Sequence, residues 1–228
     1  MRWAPMRSAR ALRFENRADA GRKLAERLAS LRLDRPVVLG LPRGGIPVAA
    51  EVASLLGGPL EAFVARKVGA PGHEEFGIGA VAEGLEEPIM SETAAAFAPG
   101  SERLRAMVER SYRELSRQVA LYRGDRALPE LAGRQVVLVD DGLATGVTAE
   151  AALVALRRRR PSRLVLGVPV CAPQSAARLA SRAEDVVCVQ SPARFVAVSY
   201  WYHDFLPTTD QEIIDLLAQR RADLSTEQ

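Results

Sequence analysis

The sequence predicts an α/β fold, an open and mostly parallel sheet flanked by helices, and three observations predict it. Short, continuous apolar runs at 36–41, 60–65, 136–139, 163–170 and 185–189 read as strands buried on both faces. Between them lie segments with apolar residues three and four apart, the spacing of amphipathic helices. Twice, at 42–45 and at 140–148, an apolar run stops in a glycine-containing turn that opens a helix. The 228 residues, 48% hydrophobic and 26% charged, suit one such domain with an elaboration.

Residues 1–17 are expected to be irregular and loosely held. Ala18 to Leu31 is an amphipathic helix with Leu24, Leu28 and Leu31 on one face. Pro36 to Leu41 is the first core strand, and Ile46 to Leu56 is the helix after its turn. Leu60 to Ala65 is the second strand, delivering Arg66 and Lys67 at its C-terminal end, where open parallel sheets bind ligands. Gly69 to Gly77 is polar and ends in glycines at both sides, so it reads as a movable loop. Ile78 to Ala82 is a strand, with 86–90 as its hairpin partner.

From Ser91 to Arg123 the pattern is helical. Leu104, Met107, Val108, Tyr112, Leu115, Val119 and Tyr122 form an apolar stripe that suits core or subunit contact, so a homo-oligomer is open. A strand at 163–170, a helix at 174–182 and a strand at 185–189 follow the central stretch. Ser191 to Phe205 breaks the α/β rhythm and gathers Phe195, Tyr200, Trp201, Tyr202 and Phe205. Asp210 is expected to cap a last helix, with disorder from Ala222.

Composition excludes several classes. A net charge of +3, from 31 bases and 28 acids, is too small an excess to point to a nucleic-acid partner. The Arg157–Arg160 run falls in the last turn of a predicted helix, where the dipole favours cations. No apolar run reaches the roughly 20 residues a membrane helix needs. The basic N-terminus has no apolar core behind it, which argues against a secretory signal. Cys171 and Cys188, without a spaced framework, argue for a reducing cytoplasm and against metal binding. Only two of the basic residues, Lys23 and Lys67, are lysines.

The chain is organised around Val136 to Thr148, Val-Val-Leu-Val-Asp-Asp-Gly-Leu-Ala-Thr-Gly-Val-Thr. Paired carboxylates at a strand tip accept hydrogen bonds from vicinal hydroxyls or from a hydrated Mg²⁺. The backbone N–H groups of Ala144, Thr145, Gly146, Val147 and Thr148 lie at the start of a helix, where unpaired donors and the dipole favour a phosphate. Thr145 and Thr148 add hydroxyls. A ribose 5-phosphate satisfies both halves. No Gly-x-x-x-x-Gly-Lys-Ser/Thr or Gly-x-Gly-x-x-Gly occurs to support a nucleotide loop of another kind. Pro42-Arg43-Gly44-Gly45 is a second turn of anion-binding type, with an added guanidinium.

Residues 136–148 resemble the phosphoribosyl-pyrophosphate (PRPP) signature of the type I phosphoribosyltransferases: four hydrophobics, two acids and a small Thr/Gly loop. The similarity extends loosely over residues 14–217 and is greatest to a branch without assigned substrates. It implies a five-stranded core over 14–190 with a helical insertion at 91–130, and a C-terminal hood with a final helix over 191–221. It implies transfer of 5-phosphoribosyl from PRPP to a nitrogen nucleophile, such as a small heterocyclic base, with release of pyrophosphate. Asp140 and Asp141 would then hold the ribose hydroxyls, directly or through Mg²⁺ bound mostly by water and PRPP. Residues 144–148 would hold the 5-phosphate. Arg43, Gly44, Gly45, Arg66 and Lys67 would hold pyrophosphate, under a closing 69–77 loop.

Tyr200, Trp201 and Tyr202 resemble a hood that stacks the acceptor base, although aromatics equally glue a terminal segment to a core. The 6-oxopurine branch carries an aspartate where this chain has Ala144, which argues against hypoxanthine or guanine and leaves the proton acceptor to Glu74, Glu75 or His73. The rival expectation is a PRPP-sensing regulator, which keeps the sugar-phosphate site and binds a nucleic acid or protein without turnover.

Overall fold

Strand β6 (Gln135–Val139) lies at the centre of a five-stranded parallel sheet because Val136 to Val139 are apolar without interruption and bury both faces. In the computed structural model, which describes residues 13–70, 73–91 and 102–226, the strand order is β2 (Leu60–Ala62), β1 (Val37–Gly40), β6, β7 (Arg163–Val170) and β8 (Asp185–Gln190). Every neighbouring pair is parallel, with Leu39 opposite Leu138 and Leu138 opposite Leu166.

Side chains alternate across a strand, so each strand feeds two cores. Val37, Leu39, Val136, Leu138, Leu164 and Leu166 pack with helices α4 (Val147–Arg158) and α5 (Pro173–Leu179). Val38, Val137, Val139 and Val165 face the other way. They pack with α1 (Arg17–Ala29), α2 (Gly45–Leu56) and α6 (Asp210–Thr226). The five predicted core strands and the helices between them are those of the sequence reading, within a few residues at each end.

The region between β2 and β6 departs from that reading. Arg66 and Lys67 do not finish a core strand. The main-sheet strand stops at Ala62, and Ala65–Ala70 is a separate strand, β3, in an antiparallel sheet with β4 (His73–Ala82) and β5 (Ile89–Met90). The proposed 69–77 loop is therefore in part an irregular hairpin: Gly69 lies opposite Gly77 and Ala70 opposite His73, with register shifts on both sides of Gly69. Glycines mistaken for hinges are those of an irregular strand pair. Residues 71–72 and the side chains of 73–76, which include His73, Glu74 and Glu75, lie outside the described residues.

Helix α3 (Glu102–Arg123) covers β3 and approaches α6; the helical expectation for 92–101 lies outside the described residues. A buried ion pair fixes its C-terminus. Arg123 donates to both carboxylate oxygens of Glu83, at 3.0 and 2.5 Å, and to the Ala62 carbonyl, while Glu83 accepts from Val64 N–H. The pair ties helix, main sheet and small sheet together where β2 gives way to β3.

Three terminal expectations need correcting. Phe14 to Arg17 are held, not loose: Phe14 is buried, bonds its backbone to Trp201 and His203, and precedes Asn16, whose side chain caps α1 through Asp19 N–H. Residues 1–12 lie outside the described residues. At the other end Thr209, not Asp210, caps α6, its hydroxyl accepting from Glu212 N–H, and the helix continues to Thr226 instead of fraying at Ala222.

Candidate active site

The tips of β1 and β6 lie side by side, and their turns interlock. A Cβ on Gly45 would lie 2.7 Å from the Val139 carbonyl and 3.0 Å from Asp140 Cα. A Cβ on Gly44 would fall on Asp141 Oδ2, with Asp141 Cγ at 2.6 Å. The paired glycines thus permit the close backbone approach expected of them, here between the two strand tips. The Pro42–Arg43 peptide bond is cis.

After the acids, Leu143 makes an isolated parallel bridge to Cys171. Ala144 and Thr145 turn their carbonyls toward α5, where the Ser175 hydroxyl and the Arg178 guanidinium donate to them. Gly146 then takes a left-handed conformation (φ 70°) as the N-cap of α4. Among the described hydrogen bonds none uses the N–H groups of Ala144 to Thr148. With the carbonyls braced from behind and the donors unspent at a helix start, the loop has the properties of an anion cradle.

The two acids differ in surroundings. Asp140 lines the cleft above the sheet, and its Oδ1 accepts from Asp141 N–H at 2.9 Å. Burial, then the neighbouring Asp141 charge, pushes its carboxyl well above the usual range. Asp141 turns away. Its Oδ2 accepts from Arg17 Nε at 2.9 Å, and its side chain is 15% exposed. Burial raises its pKa too, with the Arg17 guanidinium opposing.

One cleft of about 490 Å³ gathers Asp140, Thr148, Arg43, Arg66 and Lys67. Arg43 reaches it from the turn after β1, as expected, but Arg66 and Lys67 come from the small sheet: the Lys67 stem lies over Gly77, where a Cβ would come within 2.7 Å of Lys67 Cδ. Arg66 sits 3.8 Å from Glu114 and Arg43 4.0 Å from Asp210, both at ion-pair limits. The hydrogen bond from Arg117 keeps Glu114 below the ordinary carboxylate range, with Arg66 and Arg43 adding to the effect.

Sequence reasoning missed the opposite wall. Met107, Arg110, Ser111 and Gln118 of α3 line the same cleft. Met107 belongs to the apolar stripe that was assigned to core or subunit contact, and Arg110, Ser111 and Gln118 form a polar flank beside it. Arg17 was missed as well. A cation in the first turn of a helix is disfavoured by the dipole unless a carboxylate meets it, and that signal was legible.

The proposed hood is largely core. Trp201 and Tyr202 are 5% and 3% exposed and pack with Phe14, Ala20 and Val170. The Tyr202 hydroxyl donates to the Asp141 carbonyl at 2.6 Å, and burial raises its pKa. Of the three aromatics named for base stacking only Tyr200 is open, at 50%, with the Arg13 guanidinium 4.5 Å above its ring.

A strand-tip acid facing a cationic cleft, beside an unspent helix N-terminus, makes a site suited to an anionic ligand at the C-terminal edge of a parallel sheet. The phosphoribosyl transferase domain description matches residues 12–203, and the chain belongs to that family. Two Mycobacterium tuberculosis proteins, each named "Putative phosphoribosyl transferase" (MT0597 and Rv0571c), are 40% identical over 212 residues, covering 93% of this chain and 48% of theirs. The chain therefore spans about half the length of these curated relatives. The crystal structure of TT1426 from Thermus thermophilus is 45% identical, covers 91% of this chain and 99% of that one, and superposes with a TM-score of 0.77.

Proposed function

We propose that the chain transfers the 5-phosphoribosyl group of PRPP to a nitrogen nucleophile, a small heterocyclic base, releasing pyrophosphate. The observation that carries this is the convergence of Asp140, Thr148, Arg43, Arg66 and Lys67 on one cleft. As pyrophosphate leaves, C1 of the sugar gains positive charge, so catalysis is positional and electrostatic. Asp140 holds the ribose hydroxyls. The N–H groups of 144–148 and the Thr145 and Thr148 hydroxyls hold the 5-phosphate. Arg43, Arg66 and Lys67 take the leaving group, and Gly44 and Gly45 let the two strand tips meet closely. Glu74 and Glu75 are the proposed proton acceptors for the base.

The cleft fits a hydrated Mg²⁺ only in part. Asp140 offers carboxylate oxygen, whereas Asp141 Oδ2 is engaged by Arg17. Among the described residues no cluster of three or more His, Cys, Asp or Glu groups could hold a metal. That donor set suits an ion carried mainly by PRPP and water. When bound, the ion would neutralise phosphate charge and ease pyrophosphate departure.

The burial of Trp201 and Tyr202 favours one alternative, a PRPP sensor that lacks a base-stacking platform. Incubation with PRPP, Mg²⁺ and a panel of bases, followed by a pyrophosphate assay, tests both. Base-dependent release supports the transferase. PRPP binding without release under any base would reject it in favour of the sensor.

A further inference from the structure

We infer that Arg17 is the positioning residue of the site, dividing the acid pair into one substrate-facing acid, Asp140, and one anchoring acid, Asp141. This rests on the PRPP-binding reading given above. Asp141 is held from several directions. Arg17 Nε donates to its Oδ2 at 2.9 Å, Tyr202 donates to its carbonyl at 2.6 Å, and the missing Cβ of Gly44 leaves room for its carboxylate. Arg17 is itself fixed: it donates through Nη1 to the Leu206 carbonyl at 2.8 Å, and its guanidinium lies 4.0 Å over the Phe205 ring.

One side chain therefore joins the start of α1, the tip of β6 and the chain at Phe205 and Leu206. Its side chain is 12% exposed, and Asp141 is absent from the residues that line the cleft. Asp140 is tied to the same residue, because its Oδ1 accepts from the Asp141 N–H. The anchor thus sets where the substrate-facing carboxylate points. Arg17 touches no reacting atom; it acts through Asp141 and, through that N–H, on Asp140.

The experiment compares wild type, Arg17→Met, Arg17→Lys, Asp141→Asn and the Arg17→Met/Asp141→Asn double variant. It measures kcat and KM for PRPP by pyrophosphate release, PRPP affinity by calorimetry and folding by circular dichroism. Arg17→Met is expected to lower kcat by roughly tenfold or more while PRPP affinity changes less than about threefold, because the phosphate and pyrophosphate contacts survive. Arg17→Lys recovers part of kcat. The double variant is no worse than the more impaired single variant, the non-additivity expected of two groups acting as one unit.

A wild-type kcat in folded Arg17→Met, or losses that multiply in the double variant, would overturn the role. A fall in melting temperature with kcat unchanged would likewise reduce Arg17 to a structural contact. If wild type binds no PRPP, the functional reading itself fails; if it turns over and only the Arg17 variants behave normally, the positioning role fails alone.

Discussion

At the scale of single residues, the site contains groups that cost stability. Asp140 is a carboxyl whose folded-state pKa burial and Asp141 raise, so its charged form is disfavoured in the folded protein. For a raised pKa, the folded state gains below the unfolded value and loses that gain as pH rises through the folded value. Asp140→Asn keeps the Oδ1 acceptor for Asp141 N–H and removes the charge. The variant is expected to melt at or above wild type, by about 1 kcal/mol or ~3 °C at neutral pH, while turnover falls at least about 100-fold. The stability difference should shrink as pH falls and the wild-type carboxyl protonates, which thermal melts at several pH values would reveal. Gly44→Ala has the opposite outcome: the added methyl collides with Asp141, and a loss of roughly 2 kcal/mol or more is expected in urea titration.

At the scale of elements, the small sheet and α3 form a unit that brings cations to the cleft. Its attachment depends on the Glu83–Arg123 pair, both side chains 7% exposed. Removing one partner of such a pair leaves a buried charge without its counterion. Glu83→Ala should destabilise by roughly 3–5 kcal/mol, whereas exposed pairs such as Arg113–Glu109 should contribute under about 1 kcal/mol. Urea denaturation of the two variants separates these values. On the cleft side, Lys67→Met should raise the KM for PRPP by about tenfold with a smaller effect on kcat, since it removes a charged contact to a group bound before the chemical step. If kcat alone fell, Lys67 would serve the transition state instead.

At the scale of the whole molecule, the cleft lies where the main sheet, the small sheet and α3 meet, so a ligand bound there should hold them together. PRPP with Mg²⁺ at about 100 times its Kd should stabilise the fold by about 2.7 kcal/mol, a rise of roughly 5–10 °C in melting temperature. Asp140→Asn should show a much smaller rise. An equal rise in that variant would detach the acid from the ligand site. Among the described residues no helix is long and apolar enough to cross a membrane.

The sequence by itself determined the five core strands, the helices between them and the acid-pair loop. Each is specified locally: uninterrupted apolar runs bury strands, three-and-four spacing makes helix faces, and a glycine-containing turn marks the passage from one to the other. Only the tertiary structure decided what each acid faces. Asp140 and Asp141 are adjacent in sequence, and their difference comes from Arg17, 124 positions from Asp141 in the chain, and from the Gly44 backbone beside them. Nor could local pattern separate the antiparallel strand carrying Arg66 and Lys67 from the core strand before it, or a stacking platform from the buried packing of Trp201 and Tyr202. Burial and partnership across the chain are properties of packed surfaces, and those exist only once the elements have come together.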